Sequence, residues 1–103
     1  MISDESIILM FKAFFQYKPL YVSQFKLNID TDVKRNRNYP RKNAMGRLKH
    51  YIHSFKVNFI FISACDYCPD YCEKWLKDLE NQCISAIEEV YIKYGKKKKQ
   101  AQV

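Results

Sequence analysis

The most constraining feature of this chain is residues 55–76, FKVNFIFISACDYCPDYCEKWL. A mostly apolar run feeds directly into three cysteines at C-x-x-C-x-x-x-C spacing, with a proline just after the second. In an extended chain successive side chains alternate between faces, so Phe55, Val57, Phe59 and Phe61 line one face. On the other, Lys56 and Asn58 give way to Ile60 and Ile62. The pattern predicts a strand over 55–64 whose second half is buried on both faces, as in a sheet interior.

Pro69 suits the first position of a helix, with Cys68 as cap and Asp70 and Glu73 in the turn where the dipole favours acid. Cys72, Trp75, Leu76, Leu79, Cys83, Ile87, Val90 and Tyr94 then recur at steps of three and four, the stripe of an amphipathic helix. Gly95 marks its end.

Upstream, Ser3 or Asp4 caps a first helix running to about Tyr17, which stops ahead of Pro19. Residues 20–30 alternate: Tyr21, Phe25, Leu27 and Ile29 share one face, and Gln24, Lys26 and Asn28 the other. This predicts a half-buried strand. Residues 30–42 are rich in Asn, Asp and basic side chains and read as a loop. Asn43 offers a cap for a helix through about Ser54, with Ala44, Leu48, Tyr51 and Ile52 inward and Gly46 weakening it.

The expected fold is therefore α/β (or α+β), in the order α-β-α-β-α. It is one domain over 1–95, with a thin sheet packed by an N-terminal and a long C-terminal helix and a flexible basic tail over 96–103. Two strands make a poor sheet alone, so a homodimer or a larger assembly is expected to complete it. With 48% hydrophobic and 16% aromatic residues, the composition is that of a folded chain rather than a disordered one. The abundance of Lys, Asn, Ile, Phe and Tyr suits an AT-rich genome, such as that of a mobile element.

Four cysteines invite a four-thiolate zinc site, and helix geometry refuses it. Cys72 and Cys83 on one helix lie about 16 Å apart along its axis, so they cannot share a metal. Cys65, Cys68 and Cys72 can converge, and His53 or His50 could complete a structural zinc site. The expected cofactor is either none or that zinc ion.

A strand, a C-x-x-C and a helix also resemble the thioredoxin arrangement, over about twenty residues. That resemblance implies a thiol-redox pair at Cys65 and Cys68. It departs from the thioredoxin pattern because Pro69 follows the pair and no further strands come after the helix. No Gly-rich phosphate loop, G-x-S-x-G or H-E-x-x-H occurs, and an enzyme is not the expectation.

Charge points more firmly to a partner. The chain carries +7, and from Val33 to Cys65 it has eight basic residues and no acidic one. Lys34, Arg35, Arg37, Arg41, Lys42, Arg47 and Lys49 can neutralise phosphates, and Tyr39 can stack on an exposed base. If the two strands are parallel, this basic loop and Cys65–Cys68 meet at one sheet edge.

The expected function is non-enzymatic binding of DNA or RNA, as a regulatory or architectural component of a larger assembly. A zinc-stabilised protein-interaction module is the alternative, and a thiol-redox protein the third reading. The first fifteen residues are acidic before an apolar run that Lys12 interrupts, unlike a secretory leader, and no stretch is apolar enough to span a membrane. A cytoplasmic protein with free thiols is expected.

Overall fold

The structure, a computed structural model, describes residues 4–95. It corrects the expected α/β fold. The described residues form five helices and no strand: α1 (Asp4–Gln16), α2 (Lys18–Arg35), α3 (Arg41–Lys56), α4 (Phe59–Tyr67) and α5 (Pro69–Lys93). The basic run Lys96 to Lys99 lies outside them.

Both expected strands are helical, and the reasons are local. Residues 20–30 belong to α2. Phe25, Ile29 and Val33, four apart, are buried, whereas Leu27 is 60% exposed. The alternation was therefore a helical stripe overlaid by an apolar residue that faces water. Residues 55–64 are not one element. Phe55 lies in the last turn of α3, and Val57 closes that helix. Asn58 then starts α4, its side chain accepting a hydrogen bond from the Ile60 backbone N–H at 2.9 Å. That capping bond supplies a partner to one of the donors a helix start leaves unmet. Phe61 and Ala64 are the buried residues of α4, while Phe59 is 78% exposed.

Without strands there is no parallel crossover, no sheet edge and no sheet for a partner to complete. The thioredoxin resemblance loses its strand as well, since the C-x-x-C lies across the α4–α5 junction.

Prolines divide the chain. Pro19 sits in the first turn of α2, Pro40 precedes α3 and Pro69 opens α5. A proline cannot donate the hydrogen bond that would carry a preceding helix through it. At α5 the expected cap residue, Cys68, is in place, but its side chain makes no capping hydrogen bond. Gly95, which follows α5, takes a φ of 78°, where other residues are strained.

α5 carries the core. Cys72, Trp75, Leu79, Cys83, Ala86, Ile87, Val90 and Tyr91 are buried along it. α2 runs parallel to α5, because its ion pairs advance together along both helices: Lys18 to Asp78, Lys26 to Glu89 and Asp30 to Lys93. α3 runs the other way, with Arg41 near Glu88 and Ile52 beside Glu73.

At the hub, the Trp75 indole lies against Phe14 and Phe15 of α1, Tyr21 of α2, Phe55 of α3 and Phe61 of α4. The ring centroids are 5.2–6.1 Å away. Its Nε1–H donates to the Phe15 carbonyl at 3.0 Å.

Truncating such a side chain costs about 3–5 kcal/mol, a large part of the ~5–15 kcal/mol that stabilises a typical domain. Trp75→Ala should therefore abolish cooperative thermal unfolding, while Trp75→Phe should unfold cooperatively at a lower midpoint. Circular dichroism melts check both.

A second expectation concerns acid. Hydrogen bonds from Lys93 and then Tyr94 hold the Asp30 carboxyl below its ordinary value of 3.8. The folded state thus resists protonating it. The resulting stability is complete above that ordinary value and is lost as pH falls through the lowered one. Asp30→Asn should flatten the decline of stability below about pH 4, read from urea midpoints across an acid pH series.

Candidate nucleic-acid interface

The basic segment does not form one loop. Lys34 and Arg35 occupy the last turn of α2, where cations favour the helix dipole. Only residues 36–40 are irregular. Asn36 organises them, its side chain accepting from the Asn38 N–H and its carbonyl from the Tyr39 N–H. The remainder forms α3, RKNAMGRLKHYIHSFK, which contains no acidic residue.

The structure sorts the expected phosphate ligands into two groups. Arg41 stacks on the Tyr91 ring at 5.1 Å and lies 3.5 Å from the Glu88 carboxylate. Arg37 stacks on Tyr94 at 4.8 Å. Arg47 lies 2.8 Å from Asp32, whose oxygen is buried and has no other partner among the described residues. These three arginines hold α3 and its preceding loop against α2 and α5.

Arg35, Lys42 and Lys49 are exposed and have no ion-pair partner among the described residues. Lys34 is also exposed, with Asp30 close enough to feel its charge. Tyr39 is half-buried against the core, and its carbonyl accepts from the Tyr91 hydroxyl at 2.7 Å.

Lys56 was hidden by the strand reading. In α3 it continues a row with Lys42, Lys49 and His53, about 120° around the helix from the buried Ala44, Leu48, Ile52 and Phe55. The steps of seven, four and three between these residues carried the signal.

The cysteines lie elsewhere. Tyr39 and Arg37 rest near the C-terminal end of α5, and Cys68 precedes its N-terminal end. Helical rise separates Cys68 from Tyr91 by about 35 Å. The meeting of basic loop and C-x-x-C at one edge, expected only if the two strands were parallel, does not occur.

Cys65, Cys68 and Cys72 do come together where α4 meets α5. Cys72 is buried, and burial, followed by hydrogen bonding with Cys65 and Cys68, raises its thiol well above the ordinary value of 9.0. Cys68 donates to the Ala64 carbonyl at 3.3 Å. Cys83 is buried in the core, and its thiol is pushed up to about 12 by burial.

Among the described residues, no group of three or more His, Cys, Asp and Glu is placed to hold a metal ion. His50 and His53 are exposed on α3. A metal or an electrophile would first have to displace the Cys72 proton, since the thiolate is the reactive form.

The thiols should separate by burial. In native protein, iodoacetamide should label Cys65 and Cys68, leaving Cys72 and Cys83 unmodified until denaturant is added. Intact-mass and peptide mass spectrometry would count them, and fast native labelling of Cys83 would contradict the core described here.

Comparison with protein-family models, with curated proteins and with solved structures finds no match to this chain. Among the described residues, no helix is long and apolar enough to cross a membrane.

Proposed function

We propose that this chain binds nucleic acid without catalysis, as a cytoplasmic regulatory or architectural component of a larger assembly. The observation that supports this most is the outward side of α3 and its flank. Lys42, Lys49 and Lys56, with Arg35 at the end of α2, are exposed and have no ion-pair partner among the described residues. Ordinary surfaces intersperse both signs of charge. Unneutralised Lys and Arg on one side favour a polyanion, because each phosphate they contact releases a counterion.

A role within an assembly draws on a second face. Leu9, Phe59, Ile62, Tyr67 and Tyr71, from α1, α4 and the start of α5, are 45–78% exposed. Phe59 and Tyr67 line one cavity and Tyr67 and Tyr71 another, and exposed apolar surface of this kind marks interaction sites.

The test is a salt series. Binding of the full chain to a mixed-sequence oligonucleotide, followed by fluorescence anisotropy, should weaken steeply between 50 and 200 mM salt. Replacing Arg35, Lys42 and Lys49 together with Gln should weaken it at least tenfold. It should also reduce the slope of log affinity against log salt by about one per residue removed. The triple variant should still unfold cooperatively, since none of these side chains has an ion-pair partner among the described residues. Undiminished binding by the triple variant would overturn the proposal.

A further inference from the structure

Gly46 stands in the middle of α3 and has no explanation within the fold. Glycine is the poorest helix former apart from proline. A β-carbon at Gly46 would meet nothing within 4 Å, so no neighbouring element requires its absence. Its backbone is ordinary right-handed helix, and the one glycine with positive φ is Gly95.

Its position on the helix is informative. At 3.6 residues per turn, Lys42, Gly46, Lys49, His53 and Lys56 fall within an arc of about 80°. Ala44, Leu48, Ile52 and Phe55 are buried on a face centred about 120° around the helix. The bare stretch of backbone therefore lies within the cationic row, with Lys42 one turn before it and Lys49 one turn after.

We infer that the outer face of α3 seats in a groove of duplex DNA, with Gly46 where the helix backbone comes closest to the duplex. This rests on the nucleic-acid reading above and specifies the form of nucleic acid and the element that meets it.

Three observations favour a DNA duplex. Lys42 and Lys56 are about 21 Å apart along the helix, long enough to lie in a major groove, which is about 12 Å wide and admits a helix. Single-strand binders rely on exposed aromatic rings as stacking platforms. The Tyr and Phe rings of α3 and its loop, on Tyr39, Tyr51 and Phe55, are half-buried or buried instead. The major groove of A-form RNA is deep and narrow and closed to such a helix.

The test compares the full-length wild type with Gly46→Ala, Gly46→Leu and the Arg35, Lys42, Lys49 triple Gln variant. The probes are a 20-base-pair mixed-sequence DNA duplex, its single strand and the matching RNA duplex. Wild type should bind the DNA duplex at least tenfold tighter than either other probe. Gly46→Ala should melt higher yet bind the DNA duplex several-fold more weakly. Gly46→Leu should bind at least tenfold more weakly with a melting temperature no lower than wild type.

Equal or tighter binding to single-stranded DNA or duplex RNA would overturn the inference. So would wild-type affinity in Gly46→Leu while the triple Gln variant is impaired, an outcome that leaves the broader reading standing. Failure of the wild type to bind any of the three would remove both.

Discussion

The fold depends on the burial of one indole. Trp75 is the residue at which all five helices meet, since the rings around it come from α1, α2, α3 and α4 and it belongs to α5. Edge-to-face and tilted aromatic pairs add directional preference to area burial, so the cluster favours one arrangement of helices. The hydrogen bond from Nε1 to the Phe15 carbonyl falls in the last turn of α1, where carbonyls lack helical partners. One bond therefore satisfies the buried indole N–H and ties α1 to α5. The Tyr51 hydroxyl does the same between α3 and the Tyr21 carbonyl of α2 at 2.6 Å.

The same packing decides which charges stay free. α5 carries Asp78, Glu88 and Glu89 towards the basic helices, and Lys18, Lys26 and Arg41 pair with them. These surface pairs stabilise little individually, about 0–1 kcal/mol each, but they use up cations. α3 has no acid of its own, and only its inward-leaning arginines reach one. Lys42 and Lys49 are left without ion-pair partners among the described residues, while Lys56 borders a cavity that Asp70, Glu73 and Glu80 of α5 also line. The cationic face is thus a consequence of topology as much as of composition.

This explains which parts of the molecule were legible in the sequence. The stripe from Cys72 to Val90 is a long repeat at steps of three and four, and α5 follows it closely. α1 and the middle helix were legible for the same reason. Residues 20–30 were not. Leu27 mimicked strand alternation, and only burial shows that Phe25, Ile29 and Val33 form the stripe that packs.

Residues 55–64 misled differently. Their aromatic and β-branched content suits a strand, and the decisive residue was Asn58, a helix cap placed within an apolar run. Of the site, the basic residues were evident. Their division into three arginines that hold the fold and lysines that face outward required the positions of Asp32, Glu88, Tyr91 and Tyr94.

An exposed cationic row interrupted by glycine is costly to a small helical protein. Lys42, Lys49 and Lys56 stand two turns apart on one face, so their mutual repulsion is weak, and a mid-helix glycine is destabilising by roughly 0.5–1 kcal/mol relative to alanine. Neither cost is offset by a contact within the described residues, since Lys42, Lys49 and Lys56 have no ion-pair partner there and the Gly46 side faces open space. The core does not need them either, because Ala44, Leu48, Ile52 and Phe55, together with Arg41, Arg47 and the Tyr51 hydroxyl, attach α3 to the bundle. A feature that costs folding stability and adds no packing has its natural offset outside the chain. A polyanion that approaches the helix backbone closely would relieve the repulsion and use the gap.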